Sequence, residues 1–343
     1  MAAVTKIPDM YRAGLVLTYD GKNISADVAP SVTSFSYTDH EGGKADDLSV
    51  ALEDRDGLWK SAWFPQKGAI LKATVNAEIG GKTHTLNCGV FSLDEIAVQG
   101  PPDTVNIKGV SSLTGKALKQ ETRSRAWESV TFEEVAARIA KDHKLDFFYK
   151  GSKPIPFKRV DQRQESDLAF LNRLCRDYDM NLKISGEKLI LAENRAMETA
   201  DPVFSITRGE SPVGSYRFST RTVGIFKGCE VSYWDAEKKT ALIHTFTPPQ
   251  APPVGQILKV NQRAEDKSAA EYLAIASLRA KNGKEVTGEF SLMGDPVLLA
   301  GLTGTIKGFG AFDGKYIITQ AVHAQDRGQG YRTTIQIRKA LKW

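Results

Sequence analysis

Only three cysteines occur in 343 residues, Cys88, Cys175 and Cys229, and no two of them form a Cys-x-x-Cys pair. An odd number of widely spaced thiols excludes a disulfide scaffold, a zinc ribbon and a dithiol redox motif, and it fits a reducing site of synthesis. Cys88 and Cys229 stand in strand-like surroundings, where a free thiol packs as a small apolar group. No run approaches the 18 apolar residues of a membrane-spanning helix. The first ten residues, with Lys6, Pro8 and Asp9 among them, lack the apolar stretch of a secretion signal. The chain is therefore expected to be made in the cytosol and not exported by that route. An excess of one charge is missing too: 46 Lys and Arg against 41 Asp and Glu leave +5, well short of a dedicated nucleic-acid binder. With 41% hydrophobic and 25% charged residues, a largely disordered chain and a collagen-like repeat are excluded. At roughly 150 residues per domain, the length suits two or three domains.

What charge there is lies unevenly. Residues 1–60 hold six basic and ten acidic side chains, a balance of −4, and residues 291–343 hold seven and three, a balance of +4. Opposite ends of this kind can steer subunits together, although two solvated surfaces that differ by chance would look the same.

From Leu15 to about Ser112 the hydrophobic period is two. Leu15, Leu17 and Tyr19 alternate up to a turn at Asp20-Gly21; Leu48, Val50 and Leu52 alternate; Ala73, Val75, Ala77 and Ile79 run to Gly80-Gly81; Val105 and Ile107 follow Gly100-Pro101-Pro102. Short alternating runs between such turns predict antiparallel strands in a barrel or sandwich. The period then changes. Thr131 and Glu134 form a capping box, Val130 and Val135 a hydrophobic staple, and Lys141, His143 and Lys144 suit the end of the helix that follows. A second helix opens near Ser166 and carries Leu168, Leu171, Leu174, Cys175 and Tyr178 at helical spacing. A hairpin about Ser185-Gly186-Glu187 completes a small α+β insert over 120–197. Strands return after Asp201-Pro202, with Val231 and Tyr233 in one of them. Residues 247–254, with four prolines, form an extended connection. Ser268 and Glu271 predict another capped helix, ended by Asn282-Gly283. Tyr316, Ile318 and Gln320 then oppose Tyr331, Thr333, Ile335 and Ile337 across a turn at 327–330. Two β regions of similar size suggest a structural duplication, with no residue-level repeat to mark it.

Candidate chemistry is sparse. Asp94-Glu95 and Asp46-Asp47 are adjacent carboxylates, which a strand sends to opposite faces, whereas a glycosidase needs two that converge. His40, His84, His143, His244 and His323 show no metal-ligand spacing, His143 reading as a helix-end residue and His323 as a strand residue. No Gly-x-Ser-x-Gly elbow occurs. The Gly308 to Gly314 loop is faintly similar to a phosphate loop, but a strand and not a helix follows it. Trp59, Trp63, Trp127, Trp234 and Trp343 are scattered among basic residues without forming a basic stripe, so core or interface packing accounts for them better than single-stranded nucleic acid. No residue qualifies as catalytic, cofactor-binding or metal-ligating. A chain of this size without such a set reads as a structural or interaction protein.

Four segments, in order along the chain, resemble the phage late control gene D family, the central baseplate hub proteins of contractile-tailed phages and R-type pyocins. They are Ala45 to Gly57 with Trp59, Phe64-Pro65 and Lys67-Gly68; Gly89 to Ile96 leading to Gly100 through Val105; Gln164 to Leu174 with the hairpin after it; and Gly294-Asp295-Pro296, Ala300-Gly301, Gly308, Asp313 to Tyr316, His323 and Gly330 to Thr333. The resemblance also extends to the N-terminal part of type VI secretion spikes. It implies a mainly β fold with α+β insertions. A first tube-like antiparallel β-barrel domain would occupy 1–115, an α+β, LysM-like insert 116–200, and a second barrel 201–343 with a helical insertion near 236–288. It implies a homotrimeric, non-enzymatic ring that joins a sixfold tail tube to a threefold central spike and leaves a channel; the first and last β regions are expected to line that channel. Implied partners are the spike protein, the tube or tube-initiator protein, the tape measure protein and baseplate wedge components, with DNA only as transiting cargo. The particle would be a virion or bacteriocin assembled in the host cytoplasm, and no cofactor is implied. Because the chain stops at Trp343 just after the last tube-like strand, the spike is expected to be a separate polypeptide. The competing readings are a tail-associated glycan hydrolase, which lacks converging carboxylates, and a transcriptional regulator, which lacks a basic recognition helix. The contact residues of the assembly are not legible in the pattern.

Overall fold

The computed structural model describes residues 2–3, 11–111, 116–235, 238–251 and 255–343. Most of the N-terminal decapeptide, Ser112 and the last three residues of the proline-rich connection lie outside the described residues. The fold is mainly β, with antiparallel pairing dominant and small helical units inserted.

Period-two segments became strands because alternate residues found one apolar side. Asp47–Glu53 buries Leu48, Val50 and Leu52, and Ile70–Ile79 buries Leu71, Ala73, Val75 and Ala77. Asp20 and Gly21, with φ of 44° and 84°, turn Tyr11–Tyr19 back onto Lys22–Asn23 as a left-handed two-residue turn requires.

The strands repeat one plan. Six from the first half (Tyr11–Tyr19, Val32–His40, Asp47–Glu53, Ile70–Ile79, Lys82–Gln99, Thr104–Ser111) lie side by side in the order 1-4-5-6-3-2 when counted along the chain. Six from the last third (Phe204–Thr207, Val213–Thr220, Val286–Met293, Thr303–Lys307, Gly314–Asp326, Gly330–Lys339) take the same order, 1-4-5-6-3-2. One pairing differs: the first and fourth strands are antiparallel in the first set and parallel in the second. The irregularities repeat as well. The second and third strands slip between Val32 and Ser34 in one set and between Val213 and Ser215 in the other. The fifth and sixth slip after Leu93 and after Ile318. Gly89 (φ 104°) and Gly314 (φ 144°) each stand two residues before a fully buried ring, Phe91 and Tyr316. The duplication is thus written in topology and bulges rather than in residue identity.

The two sets form one sheet. Ser34 to His40 pairs antiparallel with Asp326 to Gln320, so the second strand of the first set lies along the far half of the fifth strand of the second.

Residues between the sets build the inserts. Thr122–Thr131 pairs with Pro156–Ser166, and Asp146–Lys150, Lys188–Glu193 and Met180–Ser185 form a three-stranded sheet. The capping box at Thr131 and Glu134 is formed, with His143 as the C-cap, and Ser166 caps the Asp167–Asp177 helix. Phe132, Val135, Ile139, Phe170, Leu171 and Leu174 close the core between the helices and the sheet. A second unit, Thr240–Phe246, Phe226–Asp235 and Gln256–Ala264 under the Lys267–Asn282 helix, begins at Phe226 and ends with that helix. Here one expectation is corrected. The N-cap is Asp266, whose carboxylate accepts the Ala269 N–H at 2.9 Å, and Ser268 lies inside the first turn. Asp caps as well as Ser, and its charge also suits the positive end of the helix.

Candidate functional site

The residues screened from sequence are dispersed. Glu95 is paired with Lys108 at 2.8 Å on the open surface of the sheet, beside exposed Asp94. Asp46 is buried, accepts the His40 N–H at 2.9 Å and has its pKa pushed up to about 6, chiefly by burial. Asp47 instead accepts from Thr38 Oγ1 at 3.2 Å. In the Gly308 loop, Asp313 accepts the N–H groups of Gly308 (3.1 Å) and Phe309 (2.6 Å). The chain's own carboxylate therefore holds the place that a phosphate would need. The cysteines are buried and free. Among the described residues no group of three or more His, Cys, Asp or Glu is placed to hold a metal ion. Trp59 packs edge-on against half-exposed Trp63 at 5.5 Å, Trp127 stacks on Phe170 under the Arg125 guanidinium, and Trp343 meets Phe246 and Arg279.

What the structure does bring together are buried ionic junctions. Glu198, in the short Asn194–Thr199 helix, accepts from Arg279 Nη2 at 2.5 Å, from Arg338 Nη1 and from the Leu341 N–H at 3.2 Å. Arg279 Nε lies 2.7 Å from Asp179, its Nη1 donates to the Trp343 carbonyl, and Arg338 reaches Glu41 at 3.3 Å. Both strand sets and both inserts thus meet at one cluster. It borders a cleft of about 680 Å³ whose rim carries Arg176, Arg217, Arg221 and Lys284. Burial raises the Glu41 carboxyl despite Arg338, and pushes Asp179 up to about 6 despite Arg279. A second junction is Asp39, fully buried, which accepts from Lys183 of the first insert and from the Ala300 N–H at 2.8 Å. A third is Asp167. Burial alone would raise its carboxyl, but bonds from His143 (2.8 Å) and Gln162 with Arg125 and Arg123 nearby hold it below its ordinary range. Each ties together elements that lie far apart in the sequence, through charges that are costly to leave unpaired.

Sequence reading missed Asp39, Glu198 and Arg279. A signal existed for Asp39. It continues the inward series Phe35, Tyr37, and a carboxylate in phase with buried rings has to find a cation.

His323 is fully buried at the seam between the strand sets. Its Nε2–H donates to the Leu298 carbonyl at 3.0 Å, Nδ1 accepts from the Tyr331 hydroxyl at 2.8 Å, and Tyr37 stacks on the ring at 6.1 Å. Burial, the largest cause, pushes its pKa down from 6.5 to about 4, against the Leu298 bond and Asp39. The folded state therefore holds fewer protons here than the unfolded chain. The stabilisation is complete above pH 6.5 and is lost as the pH falls towards 4, by about 3 kcal/mol. Asp46 and Asp179, both raised to about 6, act in the opposite direction over part of that range, so the contrast with a variant isolates the histidine. Urea unfolding should show wild type losing about 3 kcal/mol relative to His323→Gln between pH 6.5 and 4; parallel pH profiles would contradict it.

Comparison with known proteins bears on what such a framework is for. Residues 114–328 match the family model described as phage tail baseplate hub (GPD). A probable baseplate hub protein of Escherichia phage 186 is 27% identical over 276 residues, which is 76% of this chain and 69% of that protein. A probable baseplate hub protein of Escherichia phage P2 is 29% identical over 219 residues, 62% of this chain and 54% of that one. The chain thus spans part of the length of each relative. Among solved structures, a tail protein from Neisseria meningitidis MC58 superposes with a TM-score of 0.73 over 96% of this chain and 97% of its own, at 10% identity. That likeness is one of fold.

Proposed function

The chain belongs to the phage tail baseplate hub (GPD) family, and from that premise we propose that it forms a homotrimeric ring joining a sixfold tail tube to a threefold spike. The coarser part of this, a structural hub in the tail baseplate, follows from the family itself. The finer part rests on one observation: a single chain carries the same six-stranded plan twice, laid edge to side in one sheet. Three chains then present six equivalent wall segments, so threefold symmetry in subunits becomes near-sixfold symmetry in walls. On this reading the tube-like barrel domains are 1–115 and 201–343, the α+β insert is 116–200, and the strand sets line a channel for the tape measure protein and cargo. The spike, tube, tape measure and wedge proteins are its partners.

The work is geometric. A hub must hold its angle under load, and buried ionic junctions tying inserts to walls suit a rigid connector, since such groups resist rearrangement unless every partner moves together. Native mass spectrometry tests the assembly: three chains of 37.6 kDa give 3 × 37.6, about 113 kDa, and the species co-expressed with its spike should hold three of each. A chain that stays monomeric at micromolar concentration, alone and with the spike, would overturn the ring.

A further inference from the structure

The duplicated plan has one strand junction made and its counterpart unmade. Within the chain, Ser34 to His40 lies antiparallel on Asp326 to Gln320. Matching the two strand sets through their ladders and shared bulges makes Phe35 equivalent to Tyr216 and Tyr37 to Phe218. It makes Leu93 equivalent to Ile318, and therefore Glu95 to Gln320 and Val98 to His323. The counterparts of the joined strands are thus Ser215 to Arg221 and Glu95 to Pro101.

Both counterparts are open. Among the described residues Val213–Thr220 pairs only with Val286–Met293 and is an edge strand. Lys82–Gln99 loses its Ile70–Ile79 neighbour after Ser92, so among the described residues Glu95 to Gln99 is paired on one side alone, by Thr104–Ser111. Exposure follows the same division. Phe35 and His323, inside the made junction, are 4% and 0% exposed; their counterparts Tyr216 and Val98, in the unmade one, are each 46% exposed. Unsatisfied strand edges of this length are templates for pairing with another chain.

We infer that the Val213–Thr220 strand of one copy, continued to Arg221, pairs antiparallel with Glu95 to Gln99 of the next copy, repeating between subunits the junction that each chain makes within itself. The partner is a second copy of this chain, so the inference rests on the trimer proposed above and adds its contact. Transferring the intrachain register sets Arg221 opposite Glu95, Ser219 opposite Ala97, Phe218 opposite Val98 and Arg217 opposite Gln99. The chemistry of these pairs agrees with the transfer. Phe218 meets an apolar residue where Tyr37 meets the His323 ring. Arg221, on the rim of the cleft described above, comes against Glu95, which within the chain pairs with half-exposed Lys108, and beside exposed Asp94. Opposite charges directly across a ladder favour one register. The contact is head to tail, and a rotation of one third closes it without leaving a free edge.

Paired cysteines test the register directly. Facing strand residues lie within disulfide reach, and the native thiols are buried, so the Ser219→Cys/Ala97→Cys double variant should oxidise to a covalent trimer of about 113 kDa on denaturing, non-reducing gels, from 3 × 37.6 kDa. In parallel, Arg221→Glu should weaken the trimer at least tenfold in dilution experiments followed by native mass, and adding Glu95→Arg should restore it. Wild-type mass is measured first. A wild-type trimer that neither cross-links at this pair nor responds to the charge reversal would overturn the strand pairing and leave the ring intact. A wild-type monomer would instead overturn the ring.

Discussion

Replacing Glu198 with alanine is expected to cost about 3–5 kcal/mol of unfolding free energy, the range for removing one partner of a buried ion pair. The reason lies in what remains behind. Arg279 and Arg338, whose side chains are 4% and 17% exposed, would both lose their shared carboxylate, and the Leu341 N–H would lose its acceptor. Arg279 would keep Asp179, and Arg338 would keep Glu41, so the deficit is partial for each but falls on two guanidinium groups at once. Glu198→Gln keeps the shape and one acceptor oxygen and should cost less, which separates loss of charge from loss of packing. Urea midpoints at fixed protein concentration measure both variants, since mass action would otherwise mix assembly with folding. A loss below about 1 kcal/mol for the alanine variant would place the cluster among weak surface pairs. In that case the junction would not be what fixes the inserts to the walls.

The parts of this fold that sequence could show are those set by local physics. Alternation marked Asp47–Glu53 and Ile70–Ile79 because one side of each strand is buried and the other half-open. The Thr131 to Glu134 box marked its helix because the cap is a short-range bond. Where two caps of similar strength compete within three residues, as Asp266 and Ser268 do, pattern alone picks the wrong one. The duplication was legible only as two regions of like size, since its identity lies in ladder order and bulges, which are relations between distant residues. Phe91 and Tyr316 occupy matching places while sharing only an aromatic ring after a glycine. The junctions were illegible for the same reason. Glu198 reads as a surface residue in Asn194–Thr199 until Arg279, 81 positions away, turns out to face it. The open edges at Val213–Thr220 and beyond Glu95 follow from which strands fail to pair, and a sequence does not record a failure to pair.

Truncating either matching ring, Phe91→Ala or Tyr316→Ala, is expected to cost about 3–5 kcal/mol, the range for large aromatic deletions in a packed core. Both side chains are 0% exposed. Phe91 lies against Gly109, where even an added Cβ would come within 2.8 Å of its own, and edge-on to Tyr37. Tyr316 also donates its hydroxyl to the Phe312 carbonyl at 2.7 Å, so Tyr316→Phe should account for about 1 kcal/mol of its total. The informative result is how the loss is distributed. Because Ser34 to His40 carries the ladder from one strand set into the other, damage to either core should lower one shared calorimetric transition by a similar amount. Two separable transitions, with Phe91→Ala moving only one of them, would mean that the seam transmits no cooperativity. A connector that unfolds in halves could not hold the fixed angle that the proposed ring requires, so this measurement bears on the mechanical proposal as much as on the fold.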